Sequence, residues 1–117
     1  MEVNLSNKYN AHKVTVLGHE FDSKKEADRF LVLCGKLNRG EISDLRGQVE
    51  YELIPAQKKE NGKTERSVKY IADFVYKQDG KTIVEDVKGY RKGAAYAIFA
   101  IKRKLMLWKY GIEVKEV

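Results

Sequence analysis

The chain has 117 residues, of which 43% are hydrophobic and 34% charged, enough for one modest core and too apolar for a disordered tail. Its 23 Lys and Arg against 17 Asp and Glu give a net charge of +6 and a pI of about 9.3, a balance that leans towards an anionic partner. Cys34 is the only cysteine, which excludes an internal disulfide framework and a thiolate zinc cluster, and His12 and His19 are too few for a His-rich metal site. The longest apolar run, Ala94 to Ile101, is far short of a membrane span, and Met-Glu-Val-Asn-Leu lacks a basic region followed by an apolar stretch, so no secretory signal is expected. A soluble, cytoplasmic, single-domain protein is expected, with no membrane association.

Residues 1–12 are polar and read as a loose lead-in. Val14-Thr15-Val16 followed by Gly18 reads as a short strand and turn. Ser23 to Asn38 reads as a helix, with Ala27, Phe30, Leu31, Cys34 and Leu37 at helical spacing and Gly40 as its stop. Ser23-Lys24-Lys25-Glu26 has the form of a capping box.

Leu45 to Leu53 alternates, with Leu45, Gly47, Val49, Tyr51 and Leu53 on one face, as a half-buried strand ended by Pro55. The polar stretch 57–69 reads as a hairpin tip around Asn61-Gly62. Tyr70 to Tyr76 is a strand, Asp79-Gly80 its turn, and Thr82 to Lys88 its partner. Lys92 to Tyr110 reads as a second helix with an apolar stripe of Ala94, Ile98, Ile101, Leu105 and Trp108, capped by Gly111. Ile112 to Val117 alternates as a last strand. The expected class is α/β, in the order β-α-β-β-β-α-β, with helices covering a mixed central sheet.

The chemistry concentrates in the hairpin. Asp73 interrupts the most apolar strand of the chain, a costly place for an unpaired carboxylate. The turn at Asp79-Gly80 brings Asp86 alongside it, and Lys88, two residues on, shares the face of Asp86. Two carboxylates with backbone and water oxygens suit Mg²⁺ or Mn²⁺, and an adjacent lysine can orient a water for attack on a phosphodiester. The plainer reading is a salt bridge between Lys88 and one acid. Glu85 faces the other way, and a bulge would exchange it with Asp86. Glu26 reads either as the capping-box acid or as a carboxylate on the stripe of Phe30, Leu33 and Leu37, leaning towards the sheet.

From Val87 to Ile112 there is no acid, whereas Lys88, Arg91, Lys92, Lys102, Arg103, Lys104 and Lys109 are basic. Such a run is commonly a solvated face, and here it also suits a phosphate-backbone footprint. Tyr70, Tyr76, Tyr90 and Tyr96 can stack on bases or serve as core and rim residues. Trp108 and Cys34 read as packing residues and His19 as a surface histidine.

Glu26, Asp73 and Asp86-Val87-Lys88 together resemble the PD-(D/E)xK nuclease superfamily. The segments Phe21 to Ala27, Gly40 to Leu45, Tyr70 to Tyr76 and Val84 to Gly89 are similar, in this order, to small phage and prophage proteins described as endonucleases, some as Holliday-junction-resolvase-like. The resemblance spans about residues 12–117. It implies a restriction-endonuclease-like core and a Mg²⁺- or Mn²⁺-dependent DNA endonuclease acting on branched or junction DNA, leaving 5′-phosphate and 3′-hydroxyl ends. Asp73 and Asp86 would be metal ligands, joined by the backbone carbonyl of Val87. Lys88 would orient water or stabilise transition-state charge, and Glu26 would bind through water or position a second ion. Gln48 resembles a glutamine on the second strand of related nucleases and, with Arg91, Lys92, Lys102 and Arg103, would contact DNA. The superfamily proline is Ala72 here, and the second acid is Asp rather than Glu. A homodimer would place two sites on two strands. The alternatives are a non-catalytic nucleic-acid-binding module and a phage regulatory interaction protein.

Overall fold

The computed structural model describes the backbone of residues 3–8 and 11–117, and side chains from Lys13 onward. The chain falls into two compact units, Met1–Ser43 and Asp44–Val117.

The first unit is a three-stranded antiparallel sheet of β1 (Val3–Lys8), β2 (Ala11–Val16) and β3 (His19–Phe21), with α1 (Lys24–Asn38) packed on β2 and β3. The expected lead-in is therefore corrected over residues 3–8 and 11–12, while residues 1, 2, 9 and 10 lie outside the described residues. The register explains why so polar a segment pairs: Val3 and Leu5 fall opposite Val16 and Val14. Leu17 and Gly18 both have positive φ, the backbone of a tight hairpin turn. Val14, Val16, Phe21, Ala27 and Leu33 are buried, and the Phe21 and Phe30 rings lie 5.0 Å apart.

Both ends of α1 follow from its sequence. Ser23 is the N-cap, and its Oγ accepts the Glu26 N–H at 3.1 Å. At the other end Gly40, with φ +76, donates to the Leu37 carbonyl and Glu41 donates to that of Lys36, a Schellman closure.

The second unit is a four-stranded sheet in the order β4 (Ser43–Ile54), β7 (Val68–Gln78), β8 (Lys81–Asp86), β9 (Lys115–Glu116). Between β4 and β7 the predicted hairpin tip forms the ribbon β5 (Gln57–Lys58) and β6 (Thr64–Glu65). β7 and β8 are antiparallel and β8 and β9 parallel, so α2 (Gly93–Tyr110) is the crossover between two parallel neighbours. Three strands, a helix and a strand thus follow in the expected order, but the strands ahead of α1 belong to a separate sheet. Asp79 and Gly80 both have positive φ, as the hairpin signal requires.

The core under α2 is Leu53, Tyr70, Ala72, Val75, Val84, Phe99, Met106 and Val114. This corrects the expected stripe except at Leu105, which is half-buried and packs against that core. Ile98 and Ile101 are 56% and 60% exposed and Trp108 is 79% exposed. The helix start is apolar all round, so several stripes were available. The one that packs inward runs through Tyr96, Phe99, Arg103 and Met106. It also satisfies polar groups: Tyr96 and Arg103 both donate to Glu116 on β9, and the Tyr110 hydroxyl donates to the Glu52 carbonyl at 2.6 Å. No helix among the described residues is long and apolar enough to cross a membrane.

Candidate active site

β7 and β8 position the two acids. Their register pairs Phe74 with Glu85, Val75 with Val84 and Tyr76 with Ile83, so the next rung sets Asp73 beside Asp86. Tyr70, Ala72 and Val75 all belong to the core under α2, which places a slip in the strand alternation around Asp73. β4, the other neighbour of β7, is irregular at the same level. Gln48 has φ +53, a left-handed backbone uncommon outside glycine, and a Cβ on Gly47 would lie 3.6 Å from the Asp73 carbonyl. The outcome is a Gln48 side chain hydrogen-bonded to the Asp73 carboxylate.

β8 stops at Asp86, two residues earlier than expected, and the freed backbone is used. The Val87 N–H donates to Asp73 Oδ2 at 2.7 Å. The Val117 N–H donates to the Asp86 carbonyl at 2.9 Å, and the Lys88 N–H to the Val117 carbonyl at 3.0 Å. Asp86 is buried. Its Oδ2 accepts the Tyr70 hydroxyl at 2.7 Å, and its Oδ1 lies 2.9 Å from Lys88 Nζ. The Lys88 ammonium also lies 3.6 Å from the centroid of the Phe99 ring. The plain salt bridge is therefore present, and it sits inside a network containing both acids.

The electrostatics show one positive charge against two. Burial, reinforced by the charge of Asp86, raises the Asp73 carboxyl from 3.8 to about 6, although the Val87 N–H, Lys88 and Gln48 pull it down. Burial and the hydrogen bond to Asp86 hold the Tyr70 phenol far above its usual range, so it remains a donor. Hard oxygens on a pair of close, largely buried carboxylates with a single lysine counter-charge are a donor set that fits Mg²⁺ or Mn²⁺. Among the described residues no group of three or more His, Cys, Asp or Glu gathers as a metal cluster.

Glu85 faces away from this network. It is buried and accepts the Tyr76 hydroxyl at 2.5 Å. Glu26 lies on α1 in the first unit, at the cap of its helix and two turns from buried Leu33. The basic residues divide. Arg91 and Arg103 both pair with Glu116, at 3.3 and 2.9 Å, so the acid-free helix meets an acid from β9. Lys92 is the exposed N-cap of α2. Lys102 lines an open cavity of about 290 Å³ with Lys69, Tyr70, Ile71, Asp86, Lys88, Ala95, Ile98 and Phe99. Tyr70 and Tyr76 are buried, Tyr96 half-buried and Tyr90 exposed. Cys34 is half-buried, and His19 is exposed beside Phe30, its ring 5.2 Å away.

Sequence reasoning missed Tyr70 as a partner of Asp86. Its only signal was a tyrosine three residues before Asp73 on the same strand. It also missed Glu116, whose role depends on the parallel pairing of Asp86 with Glu116.

A family model described as a protein of unknown function (DUF1064) matches residues 6–116. Neither a curated protein nor a solved structure matches the chain.

Proposed function

We propose, for a chain that belongs to the DUF1064 family of proteins of unknown function, the activity of a metal-dependent DNA endonuclease with a restriction-endonuclease-like core. One observation carries the reading: Asp73 and Asp86 stand side by side at the end of a hairpin, with Lys88 Nζ 2.9 Å from Asp86 and the Val87 N–H 2.7 Å from Asp73. The order of three strands, helix and strand in the second unit supports the resemblance to PD-(D/E)xK nucleases.

Asp73, Asp86 and the Val87 carbonyl would hold Mg²⁺ or Mn²⁺, which supplies Lewis-acid charge and makes water a competent nucleophile near neutral pH. The chain's own residues set the geometry. Gln48 and the Val87 N–H fix the Asp73 carboxylate from two sides. Tyr70 holds Oδ2 of Asp86 and Lys88 holds its Oδ1, and with an ion on the carboxylates the Lys88 ammonium would orient the attacking water and stabilise charge on the phosphorane-like transition state. Lys92 and Lys102 supply phosphate contacts that position DNA. Branched DNA is the substrate class, with two copies of the chain acting on two strands.

The Lys88–Asp86 pair with its Tyr70 hydrogen bond also suits a non-catalytic DNA-binding module, so the test must separate the two. A labelled four-way junction and a matched linear duplex are incubated with wild type and Lys88→Ala, in Mg²⁺, Mn²⁺ or chelator. Metal-dependent cutting that Lys88→Ala loses is expected. Salt-sensitive binding by both proteins with no cutting in any condition would replace the nuclease with the binding module.

A further inference from the structure

The cavity beside the carboxylates has a composition that the two-acid site does not explain. Lys69, Lys88 and Lys102 converge on it from β7, the segment after β8, and α2, against the single acid Asp86. Its remaining lining is apolar. Tyr70 and Phe99 are buried at its back, and Ile71 and Ile98, 49% and 56% exposed, stand at its rim. Lys88 is committed to Asp86 and to the Phe99 ring. Lys69 makes only an exposed pair with Glu50 at 3.6 Å, which surface screening leaves weak, and Lys102 makes no ion pair among the described residues. A cleft lined in equal measure by polar and apolar surface, with two available ammonium groups, matches a ligand that joins a flat apolar body to an anionic group.

We infer that this cavity takes one unstacked nucleotide of the DNA, its phosphate on Lys69 and Lys102 and its base between Ile71 and Ile98. The size limits the ligand to something small, since about 290 Å³ lies just under the usual range of ligand pockets, so no more than one nucleotide unit is proposed. The inference rests on the nuclease reading for its ligand and deepens it. A base enters such a cavity only after leaving the helical stack, which costs least where DNA is already unpaired. The site therefore selects strands with unpaired nucleotides, such as those at a branch, over continuous duplex. Asp86 belongs to both the cavity and the acid pair, so the seated nucleotide is next to the bond to be cut.

The test is binding without catalysis. Fluorescence anisotropy in chelator compares a short 5′-labelled oligothymidylate with a short blunt duplex, for wild type, Lys102→Ala and Ala95→Phe. Ala95→Phe fills the cavity and changes no charge. Both variants should lose about tenfold in affinity for the single strand, and Ala95→Phe should bind duplex as wild type does. Circular dichroism melts establish that each variant is folded. Single-strand binding by folded Ala95→Phe at the wild-type level would overturn the inference, as would an equal loss for both DNAs in that variant. The two readings fail separately. A wild type that binds the single strand through this cavity but cuts nothing in Mg²⁺ would sink the nuclease and leave the cavity. Cutting that ignores Ala95→Phe would do the reverse.

Discussion

The backbone N–H of Val87 donates to the carboxylate of Asp73 at 2.7 Å, where the β7–β8 ladder gives way to the loop before α2. A backbone donor that a continuing strand would have paired is instead spent on a half-buried acid. The bond ties the position of Asp73 to the place where β8 ends, so the geometry of the acid pair depends on where a strand stops.

The Asp73 carboxyl stands at about 6 in the folded protein against 3.8 unfolded. The folded state thus binds the proton more tightly, and the benefit is complete below about pH 3.8 and lost as pH rises through about 6. The shift corresponds to roughly 3 kcal/mol of destabilisation at neutral pH. In chelator, Asp73→Asn should melt several degrees above wild type at pH 7 to 8, and the gain should disappear near pH 4. A constant difference across that range would show that the charge of Asp73 is not what costs stability.

A Mg²⁺ ion held by the acid pair, as proposed, would offset the cost of the buried Asp73 charge. At neutral pH the ion should raise the melting temperature of wild type, by an amount equivalent to about 2.7 kcal/mol when present at a hundred times its dissociation constant. The double variant Asp73→Asn/Asp86→Asn should show no such rise. Equal shifts in both proteins would place the ion elsewhere.

Lys88 and Asp86 form a mostly buried pair, and removing one partner strands the other. Lys88→Ala should cost about 3 kcal/mol in denaturant unfolding, and adding Asp86→Ala should recover part of it. A double variant as unstable as the sum of the singles would mean that the two side chains do not interact energetically.

Met106 has no exposed surface, whereas Trp108, two residues on, is on the opposite side of α2. Met106→Ala should destabilise by about 2–5 kcal/mol, and Trp108→Ala by no more than about 0.5 kcal/mol. Reversed magnitudes in chemical denaturation would restore the stripe expected from sequence.

The hairpin was the most legible part of the chain. Asp79-Gly80 fixed the turn, the turn fixed the register, and the register set Asp73 beside Asp86 without any tertiary information. Ser23 and Gly40 likewise announced both ends of α1. The inward face of α2 was not legible. A helix whose first turns are apolar all round offers several stripes, and the one that packs inward is the one whose Phe99 and Met106 meet the sheet and whose Tyr96 and Arg103 meet Glu116, a residue far along the chain. The β1 strand was hidden for a similar reason, because a polar segment pairs only when the strand opposite offers valines in register. The slip at Asp73 and the left-handed Gln48 depend on two strands meeting, and neither strand records the meeting in its own pattern.

Trp108 is the chain's only tryptophan, and it is 79% exposed. Its emission begins red-shifted, as an indole in water, and unfolding has little further to move it. The usual fluorescence melt is therefore nearly blind to loss of structure in this protein, and folding is better followed by backbone circular dichroism. The same indole becomes a clean optical reporter of encounter: any blue shift or quenching on titration signals that something has covered the outer face of α2.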